Sequence, residues 1–239
     1  MSPLGVEWIS NISGFEVYKE LELSERMSFQ IGQFYLGPVK YPLTPPKVLE
    51  IDEYDPVEEE KSTFRIASYN SNKLQQQIPI KSLNLRSEDR LYILQGKLRP
   101  VIILGYCDAD WLYDPMTKGG IWEKLILCLP IFTFKARHSQ DYVVKIQIFE
   151  IPNLFYIKPS NKGVTEESAA RFELIQPIHK GDLQPLKNLN ERPFKLSGDT
   201  LKVLWNHLCI FLTARPLFEE LQKDLQAYAE LIKEKIGWR

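Results

Sequence analysis

The stretch Arg99-Pro-Val-Ile-Ile-Leu104 decides the fold of this chain. Its apolar run is too short for a helix of ordinary length, and three of its four apolar residues are β-branched. Such a run is typical of a strand that is buried on both faces. We therefore predict a sheet at the core, with Arg99 at the start of its central strand and as the first candidate for a functional residue.

Short apolar segments on both sides of this stretch predict further strands, because their apolar residues alternate or form brief runs. The first segment ends at Gly37-Pro38, which predicts a turn. Pro130 lies within a later one and lacks an amide hydrogen, which predicts a sheet edge or a bulge. The predicted strands are Ser28–Leu36, Thr63–Tyr69, Arg90–Leu94, Leu125–Phe134, Val143–Ile151, Phe155–Ile157 and Arg171–Ile178.

The sequence pattern changes period beyond Ser197. Leucines recur every three or four residues from Leu201 to Leu212, which predicts a helix with Ser197 and Asp199 available as caps. Pro216 interrupts this pattern, and residues 214–239 predict a second, amphipathic helix that packs either on the same chain or on a partner. Strands followed by helices indicate a mainly β (α+β) fold, a small curled sheet or barrel with terminal helices.

The segment from Pro42 to Lys61 contains several prolines and a run of acidic residues. This composition predicts an exposed loop. We interpret it as part of a long insertion over residues 41–90. The simplest interpretation of the insertion is a solvated segment without a function of its own.

The composition argues against several classes of protein. Three widely spaced cysteines form no Cys-x-x-Cys pair, so neither a disulfide framework nor a zinc site is expected, and a reducing cytoplasm fits best. No apolar run approaches the ~18 residues of a membrane helix, and Met1–Leu23 lacks a signal-peptide pattern, so we expect no membrane association. The formal net charge is −1, with only a weak basic excess after residue 90, which does not by itself indicate a nucleic-acid surface.

Common enzyme signatures are absent from the sequence. It contains no phosphate-binding Gly-x-x-x-x-Gly-Lys-Ser, no Gly-x-Gly-x-x-Gly and no Gly-x-Ser-x-Gly motif. With only three histidines, a metal site made of several histidines is not expected. We predict a protein that uses neither a cofactor nor a metal.

Four segments follow one another in an order that resembles the MazF/PemK family, the toxin ribonucleases of toxin-antitoxin pairs. In that family a glycine-containing loop enters an apolar strand through Arg-Pro, and a strand with Pro-Ile follows. A strand with a serine and an acidic residue comes next, and a helix that opens with Leu-Ser closes the domain. The corresponding segments here are Gly96–Leu104, Leu129–Thr133, Glu167–Ile178 and Leu196–Leu204.

The resemblance covers roughly Ser28 to Leu212 and implies an SH3-like barrel that commonly forms homodimers. It places a MazF/PemK-like domain at residues 1–213, with an N-terminal extension and the 41–90 insertion, followed by the amphipathic helix at 214–239. No single motif of the set is specific, because Arg-Pro before an apolar strand is frequent by chance.

The resemblance also implies a metal-independent attack of a ribose 2′-hydroxyl on the adjacent phosphate. Arg99 stands at the family's arginine, and a guanidinium suits this role because it donates two hydrogen bonds to phosphate oxygens and stays charged. The alternative for Arg99 is an ion pair with a loop carboxylate at the start of the strand.

The family's second catalytic residue is a threonine directly after Pro-Ile. Here Phe132 follows Pro130-Ile131, and Thr133 comes one place later. On a strand, a shift of one residue sends the side chain to the opposite face unless a bulge intervenes. Thr133 is therefore a candidate catalytic residue with an ordinary place in the strand as its alternative.

A basic stretch follows the strand that holds Thr133. Lys135, Arg137 and His138, together with Lys97 before Arg99, are candidates for contacts with RNA backbone and bases. The alternative is a solvated hairpin loop.

Three functions remain open at this point. The first is an endoribonuclease toxin, held inactive by an antitoxin, in which Arg99 and Thr133 share one surface. The second is a degenerate member of the same fold that binds RNA or a regulated protein factor, similar to the MazF-like targets of CRISPR-associated Lon proteases that hold a sigma factor. The third is an unrelated β-barrel protein.

Overall fold

The structure is a computed structural model that describes residues 8–41, 45–55, 57–68, 91–106 and 125–238. The chain divides into two compact units, of which one is Met1–Val39 with Leu98–Arg239 and the other is Lys40–Lys97. The segment predicted as an insertion, residues 41–90, belongs to the second unit. Much of it, including residues 69–90, lies outside the described residues.

The described part of the chain contains four α-helices and twelve strands. The helices are α1 (Ile9–Ser13), α2 (Gln140–Gln147), α3 (Gly198–Thr213) and α4 (Glu219–Ile236). The strands are β1 (Tyr18–Glu20), β2 (Phe34–Lys40), β3 (Lys47–Glu53), β4 (Thr63–Ser68), β5 (Leu91–Ile93), β6 (Gly96–Tyr106), β7 (Leu125–Thr133), β8 (Leu154–Ile157), β9 (Ser168–Arg171), β10 (Gln176–His179), β11 (Gln184–Pro185) and β12 (Phe194–Leu196). Strands with helices at the end of the chain confirm the prediction of a mainly β (α+β) fold.

The largest sheet has the order β11-β2-β6-β7-β9-β8, and β10 also pairs with β7. Of the two predicted forms, a curled sheet or a barrel, the described strands form an open sheet and no closed barrel, because this sheet branches at β7 instead of returning to its first strand. One edge of β7 pairs with β10 up to Cys128 and with β9 from Ile131 onward. Pro130 lies in the gap between the two partners, where its missing amide hydrogen is tolerated.

Strand β6 forms the centre of the core. Its residues Val101, Ile102, Ile103 and Leu104 are at most 3% exposed, so the strand is buried on both faces as predicted. Ile102 belongs to one large hydrophobic cluster that also contains residues of α3 and α4. The apolar part of the stretch that we used to predict the fold is therefore fully covered in the first unit.

The prediction of a strand at Val143–Ile151 is wrong, because α2 covers most of this segment. The hydroxyl of Ser139 accepts a hydrogen bond from the backbone N–H of Tyr142 and caps the helix. Val143, Val144 and Ile146 are all buried. The alternation that suggested two strand faces is here one helical face, since positions three and four apart meet on a helix.

Two predicted boundaries before residue 62 are also wrong. Strand β2 begins six residues later than Ser28 and runs through Gly37-Pro38. The proline is tolerated in the strand because β11 pairs with β2 only at Tyr35 and Leu36 and leaves Pro38 without a described partner on that side. A Cβ on Gly37 would lie 2.8 Å from Leu183, so the glycine serves close packing and not a turn. The predicted loop Pro42–Lys61 contains β3.

The two C-terminal helices belong to the first unit and pack against its core. Ser197 caps α3 as predicted, with its hydroxyl accepting from the N–H of Thr200 at 3.1 Å. Asn206 on α3 is fully buried and ties the two helices together, since its side chain accepts from the N–H of Phe218 and donates to Gln222. Of the two alternatives for residues 214–239, the structure therefore has the one in which the helix packs on its own chain.

The second unit contains a three-stranded antiparallel sheet with the order β4-β3-β5. Beside it, the backbone N–H of Tyr41 donates to the carbonyl oxygen of Gln95 at 2.8 Å. The two ends of this unit are therefore joined by a backbone hydrogen bond.

Candidate functional site

Arg99 lies on β6, two residues before the buried Val101, and its side chain is half-buried. Val101 pairs with Pro130 on β7, so these two residues face the same side of the sheet. Side chains alternate along a strand, so Arg99 is on that side too, and so is Phe132. The register therefore assigns Arg99 and Phe132 to one face of the sheet.

Thr133 lies on the other face. It pairs with Ser168 on β9 at the end of the row that contains Leu129 and Ile131, both of which belong to the core. Between Phe132 and Thr133 the pairing with β9 continues without a bulge. The structure therefore does not bring Arg99 and Thr133 together on one surface.

A second arginine contacts Phe132, and the sequence did not draw attention to it. The guanidinium carbon of Arg171 is 5.7 Å from the centre of the Phe132 ring, which is a cation–π distance. Arg171 Nε donates to Glu173 Oε1 at 2.7 Å, which holds the guanidinium in place. Phe132 thus has an arginine on its ring, in addition to the arginine that shares its side of the sheet.

His138 lies in an aromatic cluster next to Phe132. The centres of the His138 and Phe132 rings are 6.4 Å apart, and His138 stacks on Tyr142 with 17° between the ring planes. The backbone N–H of Lys135 donates to His138 Nδ1 at 2.8 Å, so this nitrogen fixes the turn and Nε2 is the remaining polar atom of the ring. Phe134 packs between these rings.

The other predicted RNA contacts are exposed. Lys135 and Arg137 belong to the turn between β7 and α2, and both are solvent-exposed. Lys97 is also exposed and belongs to the second unit. His138 differs from them because it is partly buried and takes part in the packing of the turn.

A polar pair of the buried Tyr156 and the half-buried Glu167 supports the end of β7, and no sequence signal indicated it. The hydroxyl of Tyr156 donates to Glu167 Oε1 at 2.6 Å, and the carbonyl oxygen of Glu167 accepts from the N–H of Phe134. Burial raises the pKa of Tyr156 and that of Glu167. The pair therefore positions the turn that holds the aromatic cluster.

His207, in contrast, has a structural place. It is 2% exposed, and its Nε2 lies 3.1 Å from the carbonyl oxygen of Leu154 and 3.3 Å from that of Ile151. Burial lowers its pKa, so the ring is neutral and Nε2 donates to these carbonyl groups. This histidine closes the segment after α2 and is not available to a ligand.

The residues that the structure describes contain no group of three or more histidines, cysteines or carboxylates that could hold a metal ion. None of the helices in the described ranges is long and apolar enough to cross a membrane. Comparison of the sequence with protein-family models and with curated proteins finds no match. The resemblance to the MazF/PemK family therefore depends on the four ordered segments alone.

Proposed function

We propose that this chain is a MazF/PemK-like protein that has lost RNA cleavage and works in the cytoplasm as a binding or regulatory protein of a defence pathway. Its partner is a protein that it holds until the complex is broken. The proposed role is similar to that of the MazF-like targets of CRISPR-associated Lon proteases.

The observation that carries the proposal is Phe132 on the face of Arg99. Attack of a 2′-hydroxyl on a phosphate requires a group that stabilises charge and groups that move two protons. A guanidinium can do the first, but a phenyl ring can neither donate nor accept a proton. Phe132 stands where the family has its threonine, and Thr133 lies on the opposite face. This arrangement supports the proposal of a site that binds without cleaving.

One observation favours the second candidate, a metal-independent endoribonuclease of a toxin-antitoxin system. His138 lies beside Phe132, and an imidazole is the side chain best suited to proton transfer near neutral pH. In this version His138 takes the place of the displaced threonine, and Arg99 binds the phosphate.

An RNA cleavage assay separates the two candidates. Purified full-length protein is incubated with a long RNA in EDTA, beside Arg99→Ala and His138→Gln and the exposed control Arg137→Ala. We expect intact RNA with every protein. Cleavage that leaves a 2′,3′-cyclic phosphate and is lost in Arg99→Ala and His138→Gln, but kept in Arg137→Ala, would contradict the proposal and support the endoribonuclease.

The variant Phe132→Thr gives a second readout in the same assay. It places a hydroxyl on the face of Arg99 and removes the contact with Arg171. Arginine-dependent cleavage by this variant but not by the wild type is expected if the loss of activity is due to Phe132. Light scattering on the wild type measures whether the purified chain is a monomer or the homodimer that the family resemblance implies.

A further inference from the structure

One face of the sheet in the second unit is apolar on all three strands. The register pairs Leu49 of β3 with Ile66 of β4 and with Leu91 of β5, and residues two positions away along each strand share their face. Lys47 and Ser68 lie at one end of this face, opposite Ile93. The other six residues of the set are aliphatic or aromatic: Leu49, Ile51, Phe64, Ile66, Leu91 and Ile93, which we call the apolar face.

The residues that the structure describes leave the apolar face partly exposed to solvent. Ile66 is 61% exposed, Phe64 and Ile93 are each 38% exposed, and none of the other three residues is buried. Contiguous apolar side chains that remain in contact with solvent are a feature of protein-binding surfaces, because their burial by a partner stabilises the complex. Isolated exposed residues need no such explanation, but six on one sheet face do.

The end of the β3–β4 hairpin is strongly acidic. Residues 50–61 contain a single basic residue, Lys61, among many carboxylates. Lys61 pairs with Glu58, whereas Glu53 and Glu60 are exposed. Asp55 accepts the N–H groups of Glu58 and Val57, which lowers its pKa and holds the turn in one conformation.

On the other face of the sheet, one arginine faces two carboxylates. Arg65 on β4 donates to Glu50 and also lies 3.6 Å from Asp52. This face therefore keeps some negative charge, and the larger acidic excess is at the hairpin end. A partner that fits this unit needs an apolar side for the sheet face and positive charge for the hairpin end.

We propose that the apolar face docks an amphipathic segment of a protein partner, aliphatic on one side and rich in lysine or arginine on the other. This inference rests on the proposed function, since it identifies the surface and the chemistry of the partner that the chain holds. A second copy of the chain fits less well, because its own hairpin end has the same negative charge. A nucleic acid is disfavoured for the same reason.

The test uses the full-length protein and a synthetic peptide probe with leucine on one helical face and lysine on the other. Two control peptides have the same residues in scrambled order, or glutamate in place of lysine. Fluorescence anisotropy is used to measure affinity. We expect the amphipathic lysine peptide to bind about tenfold more tightly than either control, and binding to weaken as salt is raised.

Substitutions then locate the binding surface. Phe64→Thr with Ile66→Thr removes apolar area and places a β-branched residue, which suits a strand, at both positions, and we expect about tenfold weaker binding. Glu53→Lys with Glu60→Lys should weaken binding and reduce its salt dependence. The matched control, Glu166→Lys with Asp224→Lys, makes the same change in charge at exposed positions of the first unit and should leave affinity within about twofold. Circular dichroism checks that each variant is folded.

Equal binding of the three peptides, or no effect of the Phe64 and Ile66 substitutions in folded protein, would overturn the docking surface. A dimer that dissociates on those substitutions would overturn it as well, because the face would then join two copies. Neither result changes the RNA assay, so intact RNA with failed docking rejects the surface alone, and RNA cleavage rejects the proposed function alone.

Discussion

Two sheets of this molecule have strands rich in apolar residues but differ in what covers them. In the first unit, Val101–Leu104 on β6 is at most 3% exposed, because strands and helices cover both faces. In the second unit, Ile66 on β4 remains 61% exposed. A continuous apolar run such as Val101–Leu104 predicts a buried strand, whereas alternation as in β4 predicts a strand with one apolar face, whose burial depends on elements that are distant in sequence. We interpret Val101–Leu104 as structural and the apolar face of the second unit as available for binding.

The largest loss of stability is expected when a buried isoleucine of the first sheet is replaced, compared with an exposed isoleucine of the second. Ile102→Ala removes a fully buried side chain and should lower the free energy of unfolding by about 2–5 kcal/mol, because it leaves a cavity in the core. Ile66→Ala should lower it by less than about 1 kcal/mol, because the side chain is already exposed. Urea denaturation measures both. Similar losses in the two variants would show that the apolar face is covered in solution.

The next effect tests how tightly the first unit is packed. A Cβ on Gly163 would lie 2.5 Å from the buried ring of Tyr18, so Gly163→Ala should destabilise the protein by about 1–3 kcal/mol. Gly198→Ala is the matched control, since a Cβ there meets no atom within 4 Å. Thermal unfolding compares the two. A Gly163→Ala variant as stable as Gly198→Ala would contradict the packing around Tyr18.

A smaller effect depends on pH and on the buried His207. Burial holds its pKa below the ordinary value of 6.5, so the unfolded chain binds a proton below that pH while the folded protein does not. Stability from this group is therefore present above pH 6.5 and is lost as the pH falls toward the folded-state pKa. His207→Gln keeps an N–H donor for the carbonyl groups but has no group that titrates, so its stability should decrease less on acidification. Urea denaturation midpoints above and below pH 6.5 measure this difference.

The control for this pH dependence is His179→Gln. His179 is exposed, and its ring accepts the N–H of Gly181. This variant should keep the wild-type loss of stability on acidification. If His179→Gln flattens the pH profile and His207→Gln does not, the assignment to His207 is incorrect.

The smallest effect is expected at the charged face of the second unit. Arg65 pairs with Glu50 at 3.1 Å, but its side chain is 64% exposed. Arg65→Ala should change the free energy of unfolding by less than about 1 kcal/mol, because solvent screens such pairs. Lys195→Ala, which breaks a pair with Glu25 that is 18% and 24% exposed, should have the larger effect. The reverse order in denaturation experiments would contradict the comparison between the units.

The core strand and the last two helices could be predicted because their signals are local. Three β-branched residues in Val101–Leu104 specify a strand, and leucine spacing with Ser197 as a cap specifies α3. Strand Leu154–Ile157 was also predicted within one residue. In each case the sequence pattern and the final packing agree, so no distant element needed to be known.

The errors occur where a distant contact or a cap decides the structure. Val143–Ile151 has β-branched residues in alternation, but the cap at Ser139 and burial of one helical face make it α2. Gly37-Pro38 has the sequence of a turn, but close packing against Leu183 keeps it in β2. A strand prediction from alternation alone has no means of weighing these contacts.

The candidate site was predicted in part. The place of Arg99 just before the buried residues of β6 and the displacement of Thr133 follow from sequence spacing, and strand alternation specifies the face of each, although β6 begins three residues earlier than predicted, at Gly96. The contact of Arg171 with Phe132 and the Tyr156–Glu167 pair depend on β9 pairing with β7 and on β8 pairing with β9, which no local pattern reveals. The catalytic and RNA-binding roles assigned from the resemblance stay predictions.

The hydrogen bond between Tyr41 and Gln95 has a consequence for the evolution of this chain. Because Tyr41 and Gln95 meet at one backbone contact, a short turn would span the gap between them. The segment between these two residues can therefore be replaced as a cassette, and a different cassette would present a different surface.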